Sequence, residues 1–309
     1  MSPAKRLAGV SLTFIGAVMF STKAIMVKLA YRDAHMDAIL LLALRMLCSM
    51  PFFLLAAWWA SDKQSEKLSL RQWGQVVLLG IVGYYLSSWF DFLGLQFISA
   101  GLERLILFLY PSFTALINLW FFKQALGKRQ KWALLLTYIG LAIAYFGEFR
   151  VDSANPNFLL GSFLIFLCSI TYAFYIAGSG RMIPKLGVTR YTAYNMLAAT
   201  GGIFLHFALT RHIMEVTISP DMWKFGLLVA IIATVIPSFL ISAGMKRIGS
   251  NNAAIVSSIG PVSTIIQAHF FLGEQIHGAQ ILGTILVISG VLLIGWKHTS
   301  DSQDQKKEG

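Results

Sequence analysis

Acidic residues are scarce in this chain, with 14 Asp and Glu among 309 residues, and charged residues of both signs make up only 13%. So little charge leaves too small a polar surface for a soluble body of this length. The chain has only two cysteines, Cys48 and Cys168, both within apolar runs, which excludes a disulfide framework. There is no GxxxxGK[ST] phosphate loop, no HExxH metal motif and no GxSxG elbow. Intrinsic ATP hydrolysis and the common protease and esterase chemistries therefore have no visible basis, and no cofactor, metal site or catalytic residue is expected. What the chain has in abundance is hydrophobic residues, at 56%.

They fall into ten stretches, each long enough to cross a hydrocarbon layer of ~30 Å as a helix. The stretches run from Leu7 to Leu29, Ala38 to Ala60, Gly74 to Gln96, Ser99 to Phe122, Trp132 to Phe149, Phe158 to Gly180, Arg190 to Thr210, Phe225 to Met245, Asn251 to Gly273 and Gln280 to Trp296. Lys5 and Arg6 ahead of the first run have the look of a signal peptide, but the run exceeds a signal core and is needed as the first span. The net charge of +11 is distributed by loop rather than gathered into a nucleic-acid patch, and no nucleic-acid partner is expected. With both termini placed inside, the inner loops hold 17 of the 25 Lys and Arg, whereas the outer loops hold Lys28, Arg32, Arg150, Arg211 and Lys224. Lys23, Arg45 and Arg104 remain within spans. This bias predicts a multi-pass inner-membrane (plasma-membrane) protein with both termini cytoplasmic. Trp58, Trp59, Trp73, Trp120, Trp132, Trp223 and Trp296 fall at span boundaries, where amphipathic rings prefer to lie, and only Trp89 is well inside a span.

The chain also repeats itself. A shift of 150 pairs Pro111 with Pro261, Trp73 with Trp223, Ser88 with Ser238, Gly94 with Gly244 and Gly140 with Gly290. A slightly different shift pairs Leu7, Gly9, Leu12 and Phe14 with Leu159, Gly161, Leu164 and Phe166. Five spans per repeat is an odd number, so the second half enters the membrane from the opposite side. The expected fold is an all-α integral membrane protein: ten transmembrane helices as two inverted five-helix repeats, 1–149 and 150–298, with 299–309 a polar, disordered tail. That architecture belongs to secondary transporters, which work by alternating access; a channel built from a duplicated gene is the structural rival.

Leu93 to Gly147 and Ala243 to Gly295 resemble the two EamA repeats of the drug/metabolite transporter superfamily, with Pro111 and Pro261 in mid-helix, Leu272, Gly273 and Glu274 forming a turn, and Gly140 and Gly290 further on. Lys28 and Arg45 also match positions often basic in that family, while Lys123 and Gln124 stand where its first repeat has Gly and Glu, and Glu103 and Arg104 where it has small apolar residues. The resemblance implies an exporter of small metabolites or drugs, with amino acids or related amphipathic solutes favoured. An uncoupled channel or facilitator is the alternative; a membrane-embedded enzyme would have only scattered charges to work with.

An ionised side chain in a span costs at least ~2.5 kcal/mol, so Lys23, Arg45, Asp91, Glu103 and Arg104 need partners or a wet cavity. At ~1.5 Å per residue all five fall in one slab toward the outer side, and all belong to the first repeat. They predict a polar pocket for substrate or a coupling proton; structural ion pairs, with Arg104 snorkelling to the surface, are the rival reading. Ser87 and Asp91 share a helical face and Ser88 is adjacent. Nearer the midplane lie Phe20, Tyr84, Tyr85, Tyr110, Tyr172 and Tyr175, a set suited to an amphipathic solute, or to plain packing. Pro111, Pro237 and Pro261 are candidate hinges. Gly201 and Gly202 predict close helix approach, and for His206 and His269 a hydrogen-bonded structural role is favoured over a proton relay. The expected partners are a small-molecule substrate, membrane lipids and a coupling proton; nothing in the sequence fixes an oligomeric state.

Overall fold

The structure, a computed structural model, describes residues 3–60, 68–122, 128–151, 155–211, 217–257 and 259–295. Lys63, Lys67, Lys123, Gln124, Trp296 and the tail from Thr299 to Gly309 lie outside the described residues. The described chain is helical. A helix satisfies its own backbone groups, which a hydrocarbon environment requires.

The helices are α1 Pro3–Asp33, α2 Ala38–Ala60, α3 Leu70–Gly94, α4 Ala100–Leu107, α5 Tyr110–Phe122, α6 Lys128–Val151, α7 Phe158–Leu186, α8 Val188–Thr210, α9 Pro220–Gly249, α10 250–256, α11 Ile259–Leu272 and α12 Gly278–Gly295. Six helices among the described residues are long and apolar enough to cross a membrane, and Leu135–Gly147, Ile259–Leu272 and Gly278–Gly290 are shorter apolar helices. Starts are set by caps. The Ser69 hydroxyl accepts from the Gln72 N–H at 3.3 Å while the Gln72 side chain accepts from the Ser69 N–H at 2.8 Å, so α3 begins at Leu70 rather than at Gly74. Ser219, followed by Pro220 in the first turn, starts α9 with a one-way cap, its hydroxyl accepting from the Met222 N–H at 3.3 Å.

The expected unbroken spans Ser99 to Phe122 and Asn251 to Gly273 are corrected. Each is two helices, with breaks after Leu107 and after residue 256. A proline ring clashes with the carbonyl four residues before it; for Pro111 that is residue 107 and for Pro261 residue 257, so both breaks fall where the two prolines dictate. α3 and α9 carry π-helical turns at Leu79–Leu86 and Ile231–Val235. The second π turn precedes Pro237, whose missing N–H the wider turn accommodates. Gly249, at φ 79°, turns α9 into α10, a conformation only glycine adopts without strain.

Small residues set the packing. A Cβ added at Gly140 would lie 2.7 Å from the Gly283 carbonyl and 2.6 Å from the Leu286 Cβ, so α6 and α12 pack backbone to backbone. α1 packs along α9, where a Cβ at Gly16 would meet Ile241 Cγ1 at 3.0 Å. Gly202 does allow close approach, toward Ile81 and Tyr85, but Gly201 faces open space with no heavy atom within 4 Å of a Cβ position, correcting that half of the expectation. Trp58, Trp59, Trp120 and Trp132 are all exposed, as rings of an interfacial belt are.

Candidate functional site

The five intramembrane charges converge. α1 contributes Lys23, α2 Arg45, α3 Asp91 and α4 Glu103 and Arg104, each no more than 5% exposed. Lys23 Nζ sits 2.5 Å from Asp91 Oδ2 and 4.8 Å from the centre of the Phe20 ring. Glu103 lies within interaction distance of Asp91, and its nearest guanidinium nitrogen is Arg104 Nε at 3.7 Å. Arg104 does not snorkel. Its Nε donates to Thr264 Oγ1 at 3.0 Å and its Nη2 to the Phe20 carbonyl at 3.2 Å, so it faces inward and ties the first half to α11.

Arg45 lies against the Phe92 ring at 4.9 Å and the Tyr84 ring at 5.5 Å, and its Nε and Nη2 make no hydrogen bond among the described residues. Ring faces are a weak substitute for a carboxylate. Asp91 lies within electrostatic reach of this cation. The Ser87 hydroxyl shares a 3.3 Å hydrogen bond with the Cys168 thiol, and both cysteines are free.

Two small cavities flank the cluster and share Phe20, Leu107 and Tyr172 in their walls. The first, about 30 Å³, is lined by Arg104, Tyr110 and Tyr172 together with Ile241, Ser257 and Gly260 of the second half. The second, about 10 Å³, is lined by Lys23, Tyr84, Ser87 and Ser88. A water occupies roughly 10–15 Å³ on this measure, so these are spaces for a few waters. Neither holds a metabolite as it stands.

A wider cleft of about 560 Å³ opens at one end of the bundle between Lys28, Tyr31, Arg32, Gln96, Leu272 and Glu274. Tyr31 donates to the Phe92 carbonyl at 2.7 Å and is within electrostatic reach of Asp91, so it stands between cleft and cluster. On the cleft wall the Glu274 carboxylate accepts from the N–H groups of Ala100 at 2.9 Å and Gly101 at 3.3 Å, and Lys28 Nζ lies 3.9 Å away. A second-half carboxylate thus caps the first turn of a first-half helix.

Of the aromatic candidates, Tyr110 and Tyr172 meet at 5.0 Å, Tyr172 stacks on Tyr175 at 5.7 Å, and Tyr84 stands edge-on to Tyr175 at 5.9 Å. Tyr85 stands apart from this group: its hydroxyl shares a 2.9 Å hydrogen bond with His206 Nδ1. His269 Nδ1 is 3.0 Å from the Glu274 carbonyl, so both histidines have local hydrogen-bond partners. Pro111 and Pro261 adjoin the helix breaks and Pro237 follows a π turn. Sequence reasoning missed Tyr31, Cys168, Thr264 and the cap made by Glu274. The signals for the cap were Ser99, a helix start, and Gly101, where a side chain would crowd Gln280.

The model of the EamA-like transporter family matches residues 7–146 and 159–296. The chain belongs to the EamA-like transporter family. The uncharacterized transporter YcbK of Bacillus subtilis is 31% identical over 293 residues, covering 92% of each chain. A WAT1-related protein of Arabidopsis thaliana is 20% identical over 285 residues, covering 80% of this chain and 70% of its own. One solved structure superposes with a TM-score of 0.67 over 92% of this chain and 94% of its own, at 17% identity, a likeness of fold alone. Family membership makes this EamA protein a multi-pass membrane transporter of small solutes.

Proposed function

We propose that this EamA protein is an inner-membrane secondary transporter, with ten membrane helices in two inverted repeats and cytoplasmic termini. It exports small amphipathic metabolites, amino acids or their relatives foremost, by alternating access. The observation that carries this reading is the small cavity between the halves, walled on one side by Arg104 and the tyrosines and on the other by Ile241, Ser257 and Gly260. It is too small for a solute as it stands, and it is flanked by helices broken at matching places, α4 with α5 and α10 with α11. A buried site bordered by interrupted helices is where alternating-access carriers bind their solutes. The inward charge bias supports the orientation, and the tyrosines support a solute with both apolar and polar parts.

The test is reconstitution. A thermal-shift screen of the purified protein against amino acids and their amides identifies a binder, since a ligand at 100 times its Kd stabilises by about 2.7 kcal/mol. The labelled binder is then followed in proteoliposomes. Saturable counterflow is expected of a carrier; flux without trans-stimulation would replace it with a channel.

A further inference from the structure

We infer that Asp91 and Glu103 form a binding site for a single proton, shared between the two carboxyl groups and carried by Glu103. Both side chains are 0% exposed and lie within hydrogen-bonding reach of each other. Apart from the Lys23 contact to Asp91, their four oxygens accept no hydrogen bond among the described residues. Two ionised carboxylates at such a distance repel strongly in a low-dielectric interior, and neither has a hydrogen to offer the other. A single proton removes both difficulties, because a carboxylic acid donates one hydrogen bond and its neighbour accepts it.

The surrounding cations decide which group is the acid. Lys23 is committed to Asp91 at 2.5 Å and holds it ionised. Arg104, on the other side, approaches Glu103 only to 3.7 Å, because its hydrogen bonds go to Thr264 and the Phe20 carbonyl. Arg45 is spread over ring faces. The remaining titratable groups facing the pair are Cys168 from α7 and Tyr31 from α1, both neutral donors. Of the other helices packed on α4, α11 presents Thr264 and α12 presents Gln280, neither titratable, and the Leu135–Gly147 stretch of α6 has no charged residue. Glu103 is therefore the carboxyl without a committed cation, and the proton resides there.

Infrared titration of the full-length protein in lipid nanodiscs tests this without any solute, so it stands or falls independently of the carrier reading. The wild type should show a carboxylic-acid C=O band at pH 7, and Glu103→Gln should lack it. Carbon-13 labelling of glutamate in the unmutated protein should move the same band, which keeps the test decisive if the variant folds poorly. A neutral-pH spectrum with no carboxylic-acid band overturns the shared proton. A band unmoved by labelled glutamate overturns Glu103 as its carrier.

Discussion

The two broken helix pairs share a backbone and differ in chemistry. In the first half, α4 carries Glu103 and Arg104 into the cluster; at the matching places in the second half, α10 has Ala253 and Ala254. The same contrast holds elsewhere, with Tyr175, Asn195 and Ile241 standing where Lys23, Arg45 and Asp91 would be repeated. Asn195 is buried like Arg45, but its amide nitrogen donates to the Val76 carbonyl at 3.1 Å and it carries no charge. Both halves are thus interrupted at equivalent places, while the buried charge cluster is confined to the first of them.

Substitutions that cross between the halves probe this contrast. The largest effect is expected from Lys23→Met, which strands Asp91 in the interior; breaking a buried pair typically costs about 3–5 kcal/mol. Lys23→Met with Asp91→Asn should recover most of that stability by thermal unfolding without recovering transport, and normal transport by the double variant would make the pair purely structural. Next comes Ala253→Glu, which copies the Glu103 carboxyl into a 3% exposed position of the second half with no counterpart of Arg104. At least ~2.5 kcal/mol of insertion cost is expected, read as lost yield of monodisperse protein. A third, smaller effect belongs to Glu274→Ala, which removes the cap of α4; about 0.5–2 kcal/mol of stability should be lost. Tyr85→Phe should be smallest, since it removes one half-buried hydrogen bond outside the cluster, worth about 0.5–1.5 kcal/mol, and transport should be unchanged.

Much of this was legible in the sequence for physical reasons. Apolar runs mark helices because the bilayer admits little else; α2 has the expected bounds Ala38–Ala60. The intramembrane charges were conspicuous because each is costly alone; Pro111 and Pro261 stood out as candidate hinges, but the spans around them read as unbroken because their apolar runs continue across the breaks. Other features depend on contacts between distant segments. The π turn at Leu79–Leu86 contains no proline; a Cβ at Gly83 would lie 2.6 Å from Tyr175 Cβ, and one at Gly80 would lie 2.6 Å from the Asn195 carbonyl. No local pattern announces such packing. Glu274 reaches a helix 174 residues earlier in the chain, and Arg45 finds its ring partners on another helix, so neither role could be read from neighbours in sequence.

The π turn in α3 also sets a phase. Each residue of an α-helix advances the side-chain direction by about 100°, whereas a wider turn advances it less, so every residue after Leu86 is rotated back from where an uninterrupted helix would carry it. Ser87, Ser88 and Asp91 follow directly. Winding the same residues as an ordinary α-helix would instead carry Asp91 on through a large arc, away from Lys23. The bearing of the central carboxylate is thus fixed upstream, by the count of residues in a stretch that bears no charge.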